Sequence, residues 1–150
     1  MRATIQRVKE SSVKINDNTV GEIQRGLLVF IGIENSDTLE DIQWLSHKIS
    51  QLRIFADDHL PMNKSVIDVD GEILVVSQFT LFASTKKGNQ PSFTRSGDPN
   101  FAKKMIDEFT RQLSQKTGKK IKTGIFGADM HVSLINDGPV TIHIDSKNKE

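Results

Sequence analysis

The sequence predicts an α+β fold, a mostly antiparallel β-barrel or sheet with two main helices packed outside it. Strand-like segments, either alternating or continuously apolar, occupy the beginning, middle and end of the chain. Only two segments, after Asp37 and after Asp98, place apolar residues at the spacing of an amphipathic helix. No alternating βα pattern and no Gly-rich phosphate loop favours a doubly wound fold.

The first part of the chain contains only strand-like segments. Ala3–Val8 and Ser12–Asn16 alternate between apolar and polar residues, and a turn at Asn16–Asn18 leads into the segment TVGEI. Gly26–Glu34 is a continuous apolar run, as expected of a fully buried strand.

The first helix is predicted to begin at Asp37, because Asp37 and Glu40 have the spacing of a capping box. Its apolar face contains Ile42, Leu45, Ile49 and Leu52. A short strand, Arg53–Phe55, should follow, and then a loop at residues 56–65, indicated by its Asp-Asp pair and its Pro.

The segment Glu72–Ser84 looks like a buried strand with polar residues in its middle. Four apolar residues, Ile73 to Val76, are followed by Ser77, Gln78 and Thr80 before Leu81 and Phe82. A buried polar group without a partner costs about 1–3 kcal/mol. These three side chains are therefore either paired within a sheet or face something that the protein binds.

The second helix is predicted to begin at Asp98-Pro99, an N-cap acceptor followed by Pro at the first helical position. Gly118 is a plausible end of this helix. Its apolar stripe consists of Phe101, Ala102, Met105, Ile106, Phe109 and Leu113. The remaining strand candidates, which bring the total to eight or nine, are KIKTGIF, HVSLIN and PVTIHI.

The composition is that of a globular chain, and 150 residues suit a single domain, residues 1–150. We find no apolar run of about 18 residues and no signal-peptide pattern near Met1. The chain has no Cys, which excludes disulfides, a thiol nucleophile and a Cys-based zinc site. A reducing, cytoplasmic location is compatible with this composition.

The net charge of +1 hides an uneven distribution. Residues 86–122, which we call the basic third, hold 10 Lys and Arg against 3 Asp and Glu, a net +7. The flanking parts have net charges of −4 and −2. Clustered cations such as Lys86 and Lys87 suit a polyanion, since each neutralised phosphate releases counterions. A solvated helix face and a Lys-rich loop would also explain this charge pattern.

The sequence offers no obvious metal site or catalytic triad. The four His residues are scattered and have neither HxH nor HExxH spacing. Ser77 does not lie in a GxSxG motif, although a triad assembled from distant parts of the chain stays open. We therefore expect no metal and no cofactor.

Three segments combine polar residues or glycines with strand-like sequence. They are SQFTLF (Ser77–Phe82), TGIFGADM (Thr123–Met130) and NDGPVT (Asn136–Thr141). Glycine permits close approach of a ligand to the backbone, and Pro permits a cis bond. Taken alone, the Asn-Asp-Gly sequence is explained by an ordinary turn between strands.

Taken together, these segments closely resemble the D-aminoacyl-tRNA deacylases, the chirality-proofreading enzymes of translation. The resemblance extends from RATIQRV through GEILVVSQFTLFA to GPVTI, nearly the whole chain. Both family signatures, SQxxLF and NxGPxT, are matched in full and in the expected order.

The resemblance implies a homodimer whose active sites form at the subunit interface, in the region of the sheet. Gly138-Pro139 would be the Gly-cisPro element that each subunit inserts into its partner's pocket, where its carbonyl oxygens exclude an L side chain. Substrates would be D-aminoacyl-tRNA and glycyl-tRNA mischarged on tRNA-Ala.

The resemblance also implies how the ester is hydrolysed. Backbone N–H groups around Gln78 and Phe79, flanked by Ser77 and Thr80, would face the ester carbonyl, and the 2′-hydroxyl of the tRNA would assist. Phe126 and Met130 would line the pocket of the terminal adenosine. Within the basic third, Lys86 and Lys87 are expected to contact the tRNA backbone.

Two alternatives stay open. Thr80 or Ser77 could act as a covalent nucleophile on the same ester, although no activating base lies nearby in the sequence. The chain could instead be a nucleic-acid-binding module without catalysis that uses the basic third.

Overall fold

The sheet is organised around β1 (Arg2–Ile15), which pairs antiparallel with three other strands, β2 (Asn18–Ile23), β3 (Gly26–Gly32) and β6 (His131–Asp145). β3 pairs in parallel with β4 (Glu72–Ser77), and β4 pairs in parallel with the short β5 (Lys122–Thr123). The computed structural model describes all residues from Met1 to Glu150. The six strands form a mixed, nearly closed, barrel-like sheet.

The two parallel pairs follow from the two helices. α1 (Leu39–Gln51) connects β3 to β4, and α2 (Pro99–Thr117) connects β4 to β5. A helical crossover returns the chain in the same direction, so each such connection creates a parallel pair. The predicted class, a mostly antiparallel sheet with two main helices outside it, is confirmed.

The predicted number of strands was too high. Ala3–Val8 and Ser12–Asn16 belong to the one strand β1, and HVSLIN and PVTIHI belong to the one strand β6. Long strands are favoured here because β6 follows β1 along almost its whole length. The predicted strand Arg53–Phe55 is reduced to a single bridge between Phe55 and Lys64, and KIKTGIF contributes only Lys122 and Thr123.

α1 begins one residue later than the capping-box spacing predicted. Thr38 is the N-cap, and the Asp41 carboxylate accepts hydrogen bonds from the Thr38 N–H and hydroxyl. The Asp37 carboxylate is buried and binds the Met1 ammonium at 2.5 Å and the Glu34 N–H at 2.8 Å. Because both of its oxygens are already bound, Asp37 does not cap the helix.

α2 has the predicted ends. The Asp98 carboxylate accepts from the N–H groups of Asn100 at 3.0 Å and Phe101 at 3.2 Å, Pro99 is the first helical residue, and Gly118 ends the helix with a φ of +68°. No helix of the structure is both long enough and apolar enough to cross a membrane.

The core lies on both faces of the sheet. The larger cluster packs the two helices against one face and includes Leu45, Phe109, Ile31 and Val75. A smaller cluster on the other face contains Val8, Val13, Ile23, Leu28, Leu74 and Val76. Alternate residues of β4 thus face opposite clusters, and the strand ends at Ser77 directly after them.

Candidate active site

The polar residues of the SQFTLF segment lie at the end of a strand, not in its middle as the sequence indicated. β4 ends at Ser77, and Phe79–Phe82 form a 3-10 helix. Ser77 and Gln78 are half-buried, whereas Thr80 is exposed. The Gln78 side-chain amide donates a hydrogen bond to the Thr80 hydroxyl. The chain therefore leaves the sheet where its side chains become polar, and these side chains need no partner within the sheet.

A cavity of about 440 Å³, which we call the strand-end cavity, opens beside this turn. It lies between the ends of β3 and β4 and the beginning of α2. Its lining includes Ile31, Gly32, Ser77, Gln78, Phe79, Phe93, Ser96, Gly97, Pro99, Ala102, Ile106, Phe126 and Gly127. Three of the four residues predicted to be catalytic, together with Phe126, thus meet at one cavity, whereas Thr80 does not line it.

Phe79 lies at the surface of the strand-end cavity and is held in place from two sides. Its side chain is 58% exposed, and its ring meets the Phe93 ring edge-on with 5.1 Å between the ring centroids. Its carbonyl oxygen accepts a hydrogen bond from the Ser96 hydroxyl at 3.0 Å. An exposed aromatic side chain that is fixed in this way offers a ligand a preformed apolar surface.

Of the backbone N–H groups in the SQFTLF segment, those of Gln78 and Phe79 differ in their hydrogen bonding. The Gln78 N–H donates to the Ile31 carbonyl oxygen at 2.7 Å, continuing the parallel pairing of β3 and β4. The Phe79 N–H is at the first position of the 3-10 helix and has no partner within that helix. Of the two donors predicted to face a carbonyl, Phe79 is therefore the one that the fold leaves available.

A second cavity of about 330 Å³, which we call the helix-side cavity, adjoins the first. Its polar lining residues are Ser77, Asp107, Thr110 and Thr123, and it is completed by Val75, Ile106, Ile121, Gly124 and Phe126. Ser77, Ile106 and Phe126 line both cavities. The two cavities are therefore neighbouring compartments that meet at these three side chains.

Gly138 and Pro139 lie on an exposed excursion of β6. The pairing of β6 with β1 is interrupted between Asn136 and Thr141, and the Gly138-Pro139 peptide bond is cis. The Asn136 side chain spans the excursion, since its oxygen accepts from the Val140 N–H at 2.7 Å and its nitrogen donates to the Val140 carbonyl at 3.2 Å. Neither Gly138 nor Pro139 lines the strand-end cavity or the helix-side cavity of the same chain.

Arg7 fixes the excursion to the rest of the protein. Its Nε donates to the Asp137 carbonyl oxygen at 2.7 Å, and its Nη1 donates to the Ile54 carbonyl oxygen at 2.5 Å. The Arg7 side chain is only 13% exposed. We did not predict this residue, because an Arg in an alternating strand looks like a solvent-facing side chain.

The other predicted site residues, Met130, Lys86 and Lys87, lie outside the two cavities. Met130 lines neither cavity and packs against the smaller core cluster, close to Gly124. Lys86 and Lys87 are exposed in the loop closed by the paired backbone of Ser84 and Ser92. Neither Lys belongs to an ion pair, unlike Lys103, Arg111 and Lys119. No group of three or more His, Cys, Asp or Glu side chains is placed as a metal site would require.

Known proteins and a protein-family model are similar to this chain over nearly its whole length. The family model described as D-Tyr-tRNA(Tyr) deacylase matches residues 4–145. The D-aminoacyl-tRNA deacylases of Flavobacterium johnsoniae and Flavobacterium psychrophilum are 58% and 59% identical over 150 residues, with 100% of both chains covered.

Two solved structures share the fold. The c-Myc DNA Unwinding Element Binding Protein is 39% identical with a TM-score of 0.90, and the match covers 97% of this chain and 98% of that one. A probable eukaryotic D-amino acid tRNA deacylase is 17% identical with a TM-score of 0.82, covering 95% and 97%. At that identity, the second likeness supports the fold alone. From the family model and the full-length relatives it follows that the chain belongs to the D-Tyr-tRNA(Tyr) deacylase family and is a hydrolase of D-aminoacyl-tRNA.

Proposed function

We propose that this chain, acting as a single catalytic domain in the cytoplasm, proofreads the chirality of aminoacyl-tRNA at the strand-end cavity. It hydrolyses the ester between a D-amino acid and the terminal adenosine, releasing free tRNA and the D-amino acid. The observation that carries the proposal is the meeting of Ser77, Gln78, Phe79 and Phe126 at one cavity. The same site would also accept glycyl-tRNA mischarged on tRNA-Ala.

Ester hydrolysis here depends on stabilising negative charge on the carbonyl oxygen. Water adds to the carbonyl carbon, the tetrahedral oxyanion forms, and the ribose oxygen leaves with a proton. The Phe79 N–H is suited to donate to the oxyanion, since it has no partner within its own helix. The Ser77 side chain lines the cavity beside it, and Gln78 orients the Thr80 hydroxyl. In this proposal the 2′-hydroxyl of the tRNA assists, so the protein needs no nucleophile.

Selection against L-amino acids would come from a second copy of the chain. In the proposed homodimer, which forms through the region of the sheet, the Gly138 and Pro139 carbonyl oxygens of one subunit enter the other subunit's cavity and occupy the place of an L side chain. Their exposure, and their absence from the strand-end and helix-side cavities of their own chain, support a role in trans. Glycine has no side chain to reject, which explains why glycyl-tRNA would be accepted.

The tRNA end would be held by aromatic and basic residues. Phe126 lines both cavities and is suited to contact the terminal adenosine. Met130 would support this region from the smaller core cluster, on the other face of the sheet. Lys86 and Lys87 would bind backbone phosphates, since neither is neutralised by an internal ion pair.

A second candidate function is nucleic-acid binding without catalysis. It is favoured by the net +7 of the basic third and by the similarity to the c-Myc DNA Unwinding Element Binding Protein. Purified protein incubated with D-tyrosyl-tRNA, L-tyrosyl-tRNA and glycyl-tRNA separates the two functions. We expect release of D-tyrosine and glycine but not of L-tyrosine, with unchanged rates in EDTA once tRNA folding is controlled. Binding without release of any amino acid would favour the second function.

Mixed dimers test the role in trans. A Ser77→Leu chain with a blocked cavity and a Gly138→Ala chain should each be impaired alone. If the excursion acts in trans, mixing them creates one site with an intact cavity and an intact Gly138, and activity partly returns. If Gly138 serves its own subunit, the mixture stays as impaired as the separate variants.

A further inference from the structure

Arg2 binds the far end of the turn that carries the proposed oxyanion donor. The 3-10 helix Phe79–Phe82 has the Phe79 N–H at its first position, and the carbonyl groups at its other end lack partners within a continuing helix. Arg2 Nη1 donates to one of them, the Leu81 carbonyl oxygen, at 3.0 Å, although 79 residues separate the two in the chain. A cation stabilises this end of a helix, where the backbone carbonyls concentrate negative charge.

The sheet in turn holds Arg2 in place. Arg2 begins β1, its cross-strand partner in β6 is Asp145, and its Nε donates to the Asp145 carboxylate at 2.9 Å. The guanidinium also lies over the ring of the buried Phe82, with 4.7 Å between the guanidinium carbon and the ring centroid. The Arg2 side chain is only 22% exposed. One planar guanidinium therefore joins the sheet, the Phe82 ring and the Leu81 carbonyl.

The turn also packs on the backbone of Gly32, the cross-strand partner of Arg2 in β3. A Cβ on Gly32 would lie 2.9 Å from the Gln78 carbonyl oxygen and 3.2 Å from the Leu81 Cβ, so only a glycine permits this approach. Two paired strands thus set the position of the turn, β3 through the Gly32 backbone and β1 through the Arg2 side chain.

We propose that Arg2 is a positioning residue for deacylation, which holds the 3-10 helix so that its Phe79 N–H stays directed at the ester carbonyl. This inference rests on the proposed function, in which that N–H donates to the oxyanion. Arg2 lines neither cavity, so it acts through the turn and not on the substrate. Because negative charge on the carbonyl oxygen develops in the transition state, a displaced donor lowers kcat more than it weakens substrate binding.

Steady-state kinetics with D-tyrosyl-tRNA separate these two effects. Arg2→Ala should lower kcat about 10- to 100-fold, as expected when a catalytic group is displaced by about 1 Å, and should leave KM within about twofold. Arg2→Lys keeps the charge but lacks the planar fork that reaches both Leu81 and Asp145, so its kcat should lie between those of Arg2→Ala and the wild type. If Arg2→Ala folds poorly, Arg2→Lys provides the same comparison of kcat with KM.

A double-mutant cycle tests whether Asp145 acts through Arg2. Asp145→Ala should lower kcat less than Arg2→Ala does, because Arg2 can still donate to the Leu81 carbonyl. The double variant should have the kcat of Arg2→Ala, since the carboxylate then has no guanidinium to orient. A loss equal to the product of the two separate losses would contradict this arrangement.

Arg25→Ala is the matched control. The Arg25 guanidinium lies over the ring of the buried Phe55, 5.5 Å from its centroid, but Arg25 lines neither cavity. Arg25→Ala should lower the midpoint of urea unfolding, as Arg2→Ala does, and leave kcat within about twofold.

The outcomes separate the two proposals. An unchanged kcat in both Arg2 variants, a rise in KM alone, or an equal fall of kcat in Arg25→Ala would overturn the positioning role of Arg2. Failure of the wild-type protein to hydrolyse D-tyrosyl-tRNA would overturn the proposed function itself.

Discussion

Arg7 and Asp137 are joined by a 2.7 Å hydrogen bond from the Arg7 Nε to the Asp137 carbonyl oxygen, although 130 residues separate them in the chain. The same guanidinium donates to the Ile54 carbonyl oxygen. The residue before Gly138 is thereby tied to the segment that follows α1. The position of the exposed excursion is thus set by a side chain of β1 that points towards it.

Replacing Arg7 should loosen the excursion. Arg7→Ala removes hydrogen bonds from a charged donor, so we expect a loss of about 1.5–3 kcal/mol in the free energy of unfolding. Turnover of D-tyrosyl-tRNA should fall or that of L-tyrosyl-tRNA should rise, giving a smaller ratio of D to L rates. Arg7→Lys keeps the charge but lacks the planar fork that reaches both carbonyls, and it should show a milder form of the same defect. An unchanged D to L ratio in Arg7→Ala would contradict this role.

Gly138→Ala should disturb the excursion directly. Gly138 has a φ of +149°, and an added Cβ would lie 2.7 Å from Val140 Cγ2 and 3.0 Å from Arg7 Nη2. We expect impaired cleavage of D-tyrosyl-tRNA and a urea midpoint below that of the wild type, with the core still folded because the strained residue lies on the exposed excursion. Gly88→Ala is the control, because Gly88 also has a positive φ, +130°, but nothing within 4 Å of the added Cβ. Equal defects in both variants would show that backbone strain alone, not this position, matters.

Sequence patterns predicted those features that depend on near neighbours. The ends of α2 were predicted correctly because the Asp98 carboxylate caps N–H groups only two and three residues away. The start of α1 was wrong because Asp37 is bound by the Met1 ammonium, 36 residues away. The family motifs named Ser77, Gln78, Phe79 and Phe126, and the fold brings these four residues to one cavity. Arg7 could not be predicted in this way, since its importance depends on contacts that only the folded chain defines.

Thr80→Ala should reduce the deacylation rate by no more than about tenfold. Thr80 is exposed and its hydroxyl is held by the Gln78 side chain, an arrangement suited to positioning a substrate. Removing a covalent nucleophile would usually lower kcat by several orders of magnitude. Single-turnover kinetics measure the loss, and mass spectrometry of a quenched reaction searches for an acyl group on Thr80 or Ser77. Detecting such an acyl-enzyme would favour the nucleophile alternative.

The Asp57 carboxylate should lose its charge at a lower pH than an ordinary Asp does. Hydrogen bonds from the Asn63 side chain, and then from the His59 and Leu60 N–H groups, lower the pKa of Asp57 to about 2. Since a lowered pKa favours the folded loop only while the group is ionised, this contribution is complete above about pH 4, the ordinary value for Asp, and is lost as the pH falls through 2. NMR titration of the Asp57 side-chain carbon should give a midpoint near 2. In Asn63→Ala the midpoint should move up towards 4, and an ordinary midpoint in the wild type would refute the network.

Reversing the charge of Lys86 and Lys87 should weaken tRNA binding without altering chirality. Both are exposed and outside the internal ion pairs, and neither lines the strand-end or the helix-side cavity, so they can meet phosphates but not the amino acid. Each lost phosphate contact removes counterion release, so the apparent KM for D-tyrosyl-tRNA should rise and depend less steeply on salt. The double variant Lys48→Glu and Lys149→Glu is the matched control. It makes the same change in net charge at exposed residues beside Trp44, in a groove that shares no lining residue with the two cavities. We expect its KM and salt dependence to match the wild type. If the Lys86 and Lys87 variant instead hydrolyses L-tyrosyl-tRNA, these residues contribute to selection, and Gly138 and Pro139 do not account for it alone.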